Sequence, residues 1–360
     1  MKYKTSFPFA LTLLSLLLSG CGATSSSASV ETKESEETTI EESSVEPDNK
    51  VSVFVLSGQS NMEGSTYFDN GQSWLRKACE TLDLNPEPMF DGMEEVQTSF
   101  YGFYPYQGWG QDAWLRITPH CSNPEDPLAG KFNPTKVGMG NRDDFMGPEI
   151  GLAYKLRENR KDEKPIFLIK CAFSGAGFEN GQTPTFKSRS QGVEGQLYDR
   201  LVTYTRNNLR LIEDQGYEPV IKALLWHQGE SDANRADQTS KYQHNLGTLV
   251  SDFREDFAEY AREGRRENID FIDALVYDGT RLTYGAIDSL NDAKIALSEE
   301  SEHNFCINTS CKREGGLALE IGGKPGDTEG CCDNYHYITK DCVRLGLAYA
   351  DVILDNHMLD

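Results

Sequence analysis

Four short apolar runs recur along the chain, each bounded by glycine, proline or polar residues. Val51–Leu56 (VSVFVL) ends at Ser57-Gly58, and Pro165–Ala172 (PIFLIKCA), Pro219–Trp226 (PVIKALLW) and Ile269–Val276 (IDFIDALV) follow it. Runs of this length, rich in β-branched and aromatic residues, predict internal parallel strands covered on both faces. Between and after them the apolar period changes. Leu197, Leu201, Tyr204 and Leu211 recur at helical spacing, as do Tyr242, Leu246, Leu249, Phe253 and Phe257, and then Val343, Leu347, Ala350 and Leu354. Such stripes predict helices with one face on a core. Strand alternating with helix predicts an α/β fold, an open parallel sheet with helices on both faces. Sheets of this kind bind ligands at the carboxyl ends of their strands.

Residues 64–145 interrupt the alternation with a long stretch rich in Gly and Pro. It is also aromatic, with Phe100, Tyr101, Phe103, Tyr104, Tyr106, Trp109 and Trp114 close together. A structureless loop of that length is uncommon unless it serves function. The segment therefore reads either as a ligand-facing insertion or as a small satellite core, with a Cys79–Cys121 disulfide as a candidate staple.

The first residues are not part of the fold. Lys2 and Lys4 precede an apolar stretch from Phe7 to Leu18, too short to span a bilayer and laid out like a secretory signal. It ends in Leu18-Ser19-Gly20-Cys21, which resembles the lipobox of bacterial lipoproteins. The resemblance implies a signal peptide over 1–20, a lipid on Cys21 and a place on the bacterial cell surface or in the envelope, outside the cytoplasm. Residues 21–50 follow as an extended tether, because acids crowd its Ser- and Thr-rich stretch and almost nothing in it is apolar. The folded domain is then 51–360. Eight cysteines remain besides Cys21, and an even count outside the cytoplasm predicts disulfides. None is spaced as a zinc site would need, so no metal or other cofactor is expected.

Charge narrows the partners. Lys+Arg number 35 and Asp+Glu 57, for a net charge of −22, and no basic run is present. A phosphate backbone is bound through clustered Lys and Arg, so no nucleic acid partner is expected. Contact with a membrane is expected through the lipid anchor only.

Candidate chemistry gathers at the ends of the predicted strands. Gly58-Gln59-Ser60-Asn61-Met62 puts a serine on a tight turn after the first strand. A serine hydroxyl there needs an adjacent base. His336, in Asp333-Asn334-Tyr335-His336 before the last helix, is the base candidate. An Asp three residues earlier can fold back to fix its tautomer. A third strand ends in Trp226-His227-Gln228-Gly229-Glu230-Ser231-Asp232, where an amide could donate to a developing oxyanion. Another ends in Ala172-Phe173-Ser174-Gly175-Ala176-Gly177, where glycine lets the backbone approach a ligand.

Together, GQSNM, HQGESD and the D-x-x-H pair, in this order, resemble the SGNH-hydrolase superfamily. Within it they are most similar to carbohydrate esterase family 6 and sialate O-acetylesterase-like domains. The resemblance implies a flavodoxin-like three-layer α/β/α sandwich and a serine esterase that removes O-acetyl groups from carbohydrate. It implies Ser60 as nucleophile, His336 as general base and acid, and Asp333 as its orienting carboxylate. The oxyanion hole would be the Ser60 and Gly175 N–H groups with the Gln228 amide, Gly147 being the alternative to Gly175. Gln59, Asn61, Glu230 and Trp109 are expected at the substrate, Glu230 as an inward-facing brace. Asp232 reads as a helix cap, His227 as a support for its loop, and Asn291 and Lys294 as packing. A non-catalytic glycan-binding lipoprotein, or an esterase on another acyl ester, is the alternative function.

Overall fold

The computed structural model describes residues 49–69, 71, 73–103, 121–179, 184–192, 197–280, 285–322 and 333–360. The expected signal peptide, the tether as far as Asp48 with Cys21, and Trp109 lie outside these residues. In chain order the strands are β1 (Lys50–Gly58), β2 (Thr66–Tyr67), β3 (Met93–Phe103), β4 (Asn133–Thr135), β5 (Phe145–Met146), β6 (Ile166–Phe173), β7 (Glu218–His227), β8 (Asp270–Ala274) and β9 (Asn304–Ile307). The helices are α1 (Ser60–Glu63), α2 (Trp74–Leu82), α3 (Glu87–Asp91), α4 (Glu149–Asn159), α5 (Leu197–Glu213), α6 (Ala236–Thr239), α7 (Tyr242–Asp256), α8 (Ile287–Glu299) and α9 (Thr339–Asp355).

The main sheet has the order β4-β3-β6-β1-β7-β8-β9. Its pairs are parallel apart from β3 with β4. The four apolar runs supply β1, β6, β7 and β8, which lie side by side where both faces are covered. Alternate side chains serve opposite cores, as the period of a strand requires. Val53 and Val55 join Phe167 and Ile169 in one, against Leu201, Tyr204, Leu246 and Phe253 from α5 and α7. Phe54 and Leu56 join Leu168 in the other, against Ile150 and Leu152 of α4 and Val343 and Ala350 of α9. The protein is thus a mixed α/β structure around a largely parallel sheet.

The insertion at 64–145 widens this sheet. Its strand β3 pairs parallel with β6, and β4 closes that edge antiparallel. β2 and β5 form a separate two-stranded ribbon. The described part of the segment is therefore neither a free loop nor a satellite core. The expected staple does not form. Cys79 packs in the core with Met89 and α9, whereas Cys121 packs in the core with Tyr101 and α5. The sheet lies between them, and Cys79, Cys171, Cys306 and Cys311 are free thiols.

With β3 and β4 set aside, the order is β6-β1-β7-β8-β9. The chain steps to one side of β1 and then to the other, so the carboxyl end of β1 is a switch point where loops diverge. Gly58 pairs with Ala172 on one side and His227 on the other. At Gly58, with φ +142°, a Cβ would lie 2.1 Å from the His227 carbonyl oxygen. Only glycine lets β1 and β7 converge there.

Candidate active site

The turn after β1 is set by its backbone. Gln59 is extended (φ −110°, ψ −157°), and α1 starts at Ser60. The Gln59 carbonyl accepts N–H bonds from Met62 and Glu63, both 2.8 Å. Ser60 is thereby lifted to the end of the strand, and 7% of it is exposed.

The loop before α9 orients the imidazole. Asp333 Oδ1 accepts the N–H groups of Tyr335 (2.8 Å) and His336 (3.1 Å). Both carboxylate oxygens lie 2.9 Å from His336 Nδ1. A carboxylate accepts only, so Nδ1 carries the hydrogen and Nε2 is left as the basic nitrogen. The Asp-x-x-His spacing thus brings the carboxylate onto the imidazole within a single turn.

Asn61 joins these two parts. Its Nδ2 donates to the Tyr335 carbonyl (3.4 Å) and its Oδ1 accepts the Tyr337 N–H (3.2 Å). One side chain, next to Ser60, holds both neighbours of His336. Asn61 Nδ2 also donates to Glu230 Oε1 at 2.8 Å. Thr66 adds a bond from its hydroxyl to the Tyr337 carbonyl at 2.8 Å.

Gln59 and Asn61, expected at the substrate, face inward, as Glu230 does. Gln59, Asn61 and Glu230 are each 5% exposed. Gln59 Oε1 accepts from Gln228 Nε2 (3.2 Å), Gly229 N–H (3.4 Å) and Ser231 N–H (3.3 Å). These side chains weld loops together because buried polar groups must be paired. Gln228 also departs from expectation. Its Nε2 donates to Asp232 Oδ2 (2.7 Å), the Ala176 carbonyl (3.1 Å) and Gln59 Oε1, which engages both of its hydrogens. Asp232 is not a helix cap. Its carboxylate crosses to the loop after β6 and accepts the N–H groups of Phe178 (3.0 Å) and Glu179 (3.1 Å). Burial pushes its carboxyl up to about 6, against the pull of those donors. The Gly147 N–H is taken by Glu149 Oε1 at 3.0 Å, which removes it as the alternative to Gly175. Gly175 lies in the loop after β6, with φ +71°.

The helix α8 closes the floor of the site. Asn291 bonds both the N–H and the carbonyl of Val276, each at 3.0 Å. Lys294 forms a buried pair with Asp273 at 2.6 Å. His227 is fully buried beside the Tyr337 ring, with centroids 5.6 Å apart. Burial first, and the Lys294 charge second, hold its imidazole down to about 3 against an ordinary 6.5. The sign follows: between pH 6.5 and 3 the unfolded chain binds a proton that the folded chain refuses. Stability is therefore lost as pH falls through that window, by about 2 kcal/mol at pH 5. A His227→Asn variant should lose less melting temperature than wild type between pH 7 and pH 5. Equal losses would mean that His227 does not titrate differently on unfolding.

Residues 123–355, more than half of the chain, match the family described as carbohydrate esterase, sialic acid-specific acetylesterase. The matched span holds Gly175, Gln228, Glu230, Asp333 and His336, and Ser60 precedes it. A probable carbohydrate esterase of Arabidopsis thaliana is 26% identical over 212 residues, which cover 59% of this chain and 64% of that protein. The match thus spans less than two thirds of that relative's length. The X-ray structure of the Arabidopsis thaliana protein shares the fold at a TM-score of 0.52 and 20% identity, covering 86% of this chain and 99% of that one. The crystal structure of NanS does so at a TM-score of 0.52 and 15% identity, covering 86% and 98%. With the strand-end loops placed as described, the chain belongs to the carbohydrate esterase, sialic acid-specific acetylesterase family.

Proposed function

We propose that the protein is a serine esterase of the SGNH type that removes O-acetyl groups from carbohydrate, held outside the cytoplasm by a lipid on Cys21. Membership of the carbohydrate esterase family supports the reaction class. The observation that carries the serine mechanism is Asn61, which binds both neighbours of His336 from the position after Ser60. The order β6-β1-β7-β8-β9 supports the flavodoxin-like sandwich of that superfamily.

In this reading His336 Nε2 takes the proton as Ser60 Oγ attacks the acetyl carbonyl, and Asp333 stabilises the imidazolium. The Ser60 and Gly175 N–H groups receive the oxyanion, and Gln228 holds the loop that carries Gly175 through Ala176. Collapse of the tetrahedral intermediate returns the proton to the sugar hydroxyl and leaves an acetyl-serine. His336 then activates water, and acetate leaves.

Carbohydrate as substrate is supported by Tyr335. It is the large apolar side chain exposed among the described residues, at 51%, and it adjoins His336. Its backbone is held on both sides, by Asp333 and by Asn61. An exposed ring on a backbone so fixed can stack on a sugar ring.

Three outcomes are expected. Ser60→Ala should abolish release of acetate from p-nitrophenyl acetate and from acetylated polysaccharide. Turnover above about a tenth of wild type would remove Ser60 from the mechanism. Asn61→Ala should lower kcat about a hundredfold, since a base displaced by an ångström transfers its proton poorly. Tyr335→Ala should raise KM for acetylated xylan, or for O-acetylated sialoglycan, by up to about tenfold and spare p-nitrophenyl acetate. A screen of acetate release across such glycans identifies the sugar, and acetate from none of them would end the carbohydrate reading.

A further inference from the structure

Glu63 ends the short helix that begins at Ser60, and its side chain is fully buried. A carboxylate is kept in such a place only where donors surround it. Its Oε2 accepts the Ser174 N–H at 3.0 Å and the Ser174 hydroxyl. Ser174 is the first residue after β6 and immediately precedes Gly175. The Glu63 backbone is tied to the same strand, because Lys170 Nζ donates to its carbonyl at 2.9 Å. Lys170 is in turn paired with buried Glu149 at 3.0 Å. The third wall of the pocket is β3, where a Cβ on Gly102 would lie 2.7 Å from Glu63 Oε1. Glycine at that position leaves the room the carboxylate fills.

The far end of the loop is held by a different carboxylate. Asp232 accepts the N–H groups of Phe178 and Glu179, and Gln228 binds the Ala176 carbonyl. Gly175 therefore sits between two fixed ends, Glu63 on one side and Asp232 with Gln228 on the other. The Glu63 end is attached directly to the helix that carries Ser60, whereas the other end reaches that turn only through Gln228 and Gln59. We infer that Glu63 is the positioning residue of the oxyanion loop: it fixes Gly175 relative to Ser60 so that both N–H groups aim at one oxygen. The inference rests on the esterase reading and on Gly175 as a donor. Donors to an oxyanion act over a few tenths of an ångström. A charge-assisted pair of bonds from one carboxylate meets that tolerance better than neutral contacts do.

Glu63→Gln tests this, since it keeps the size of the side chain and removes its charge. Ser174→Ala, which removes one of the two donors, is the milder companion, and Ser174→Thr keeps the hydroxyl. With p-nitrophenyl acetate, Glu63→Gln should lower kcat about 10- to 100-fold and leave KM within about twofold. Ser174→Ala should shift kcat in the same direction by less, and Ser174→Thr should retain activity. The inhibition constant of a boronic acid that forms a tetrahedral adduct on serine should rise with the fall in kcat/KM. A merely structural role predicts something else: fewer titratable sites, with kcat per site and the boronic acid affinity at wild-type values. That result, or an unchanged kcat in both Glu63→Gln and Ser174→Ala, overturns the inference. Should Glu63→Gln not fold, the boronic acid affinity of Ser174→Ala decides by the same criterion. Ser60→Ala separates the two levels. If it retains turnover, the esterase reading fails. If it is inactive while the Glu63 and Ser174 variants match wild type, only the role of Glu63 fails.

Discussion

The side-chain amide of Asn61 is the constraint on which the site depends. It is buried, so each of its polar atoms needs a partner, and a lost one costs about 1–3 kcal/mol. The Tyr337 N–H can only donate, which turns Oδ1 toward it and commits Nδ2 to Glu230 and the Tyr335 carbonyl. The amide has no second orientation that satisfies them. His336 is therefore held by the residue next to Ser60, through its own neighbours' backbone.

Two buried ion pairs flank this site, Lys170 with Glu149 and Lys294 with Asp273. Burying such pairs costs desolvation that their attraction scarcely recovers. Their value lies in placement. Lys170 reaches the carbonyl of Glu63, and the Lys294 charge adds to the burial that holds the His227 imidazole neutral at the root of the Gln228 loop. Lys170 anchors the turn after β1 through that carbonyl, and a hydrophobic replacement of it would fill the volume and leave the carbonyl without this donor.

Much of this was readable in advance, for identifiable reasons. β1, β6, β7 and β8 were legible because strands covered on both faces must be apolar throughout. β3 was not, because Glu94, Glu95 and Gln97 interrupt its apolar positions and its aromatic end reads as a loop. β9 has four residues, too few for a period. Ser60, Asp333 and His336 stand in short local patterns. The partners of Asn61, Glu63, Gln228 and Asp232 do not, since a polar residue carries no mark of which distant group it will meet. The cysteines taught the same lesson in reverse. Their number suggested bridges, but Cys79 and Cys121 were carried to opposite faces of the sheet.

The bond from Asn61 to Tyr335 spans 274 residues, and that from Thr66 to Tyr337 spans 271. Contacts so distant in sequence pay a large loop-closure entropy and form late. At synthesis rates of about 5–20 residues per second, Tyr335 leaves the ribosome roughly 14–55 s after Asn61. Throughout that interval Asn61 lacks the two backbone partners it binds on either side of His336. A chain interrupted before Asp333 therefore leaves the turn after β1 without these ties, which form only once the segment before the C-terminal helix has been made.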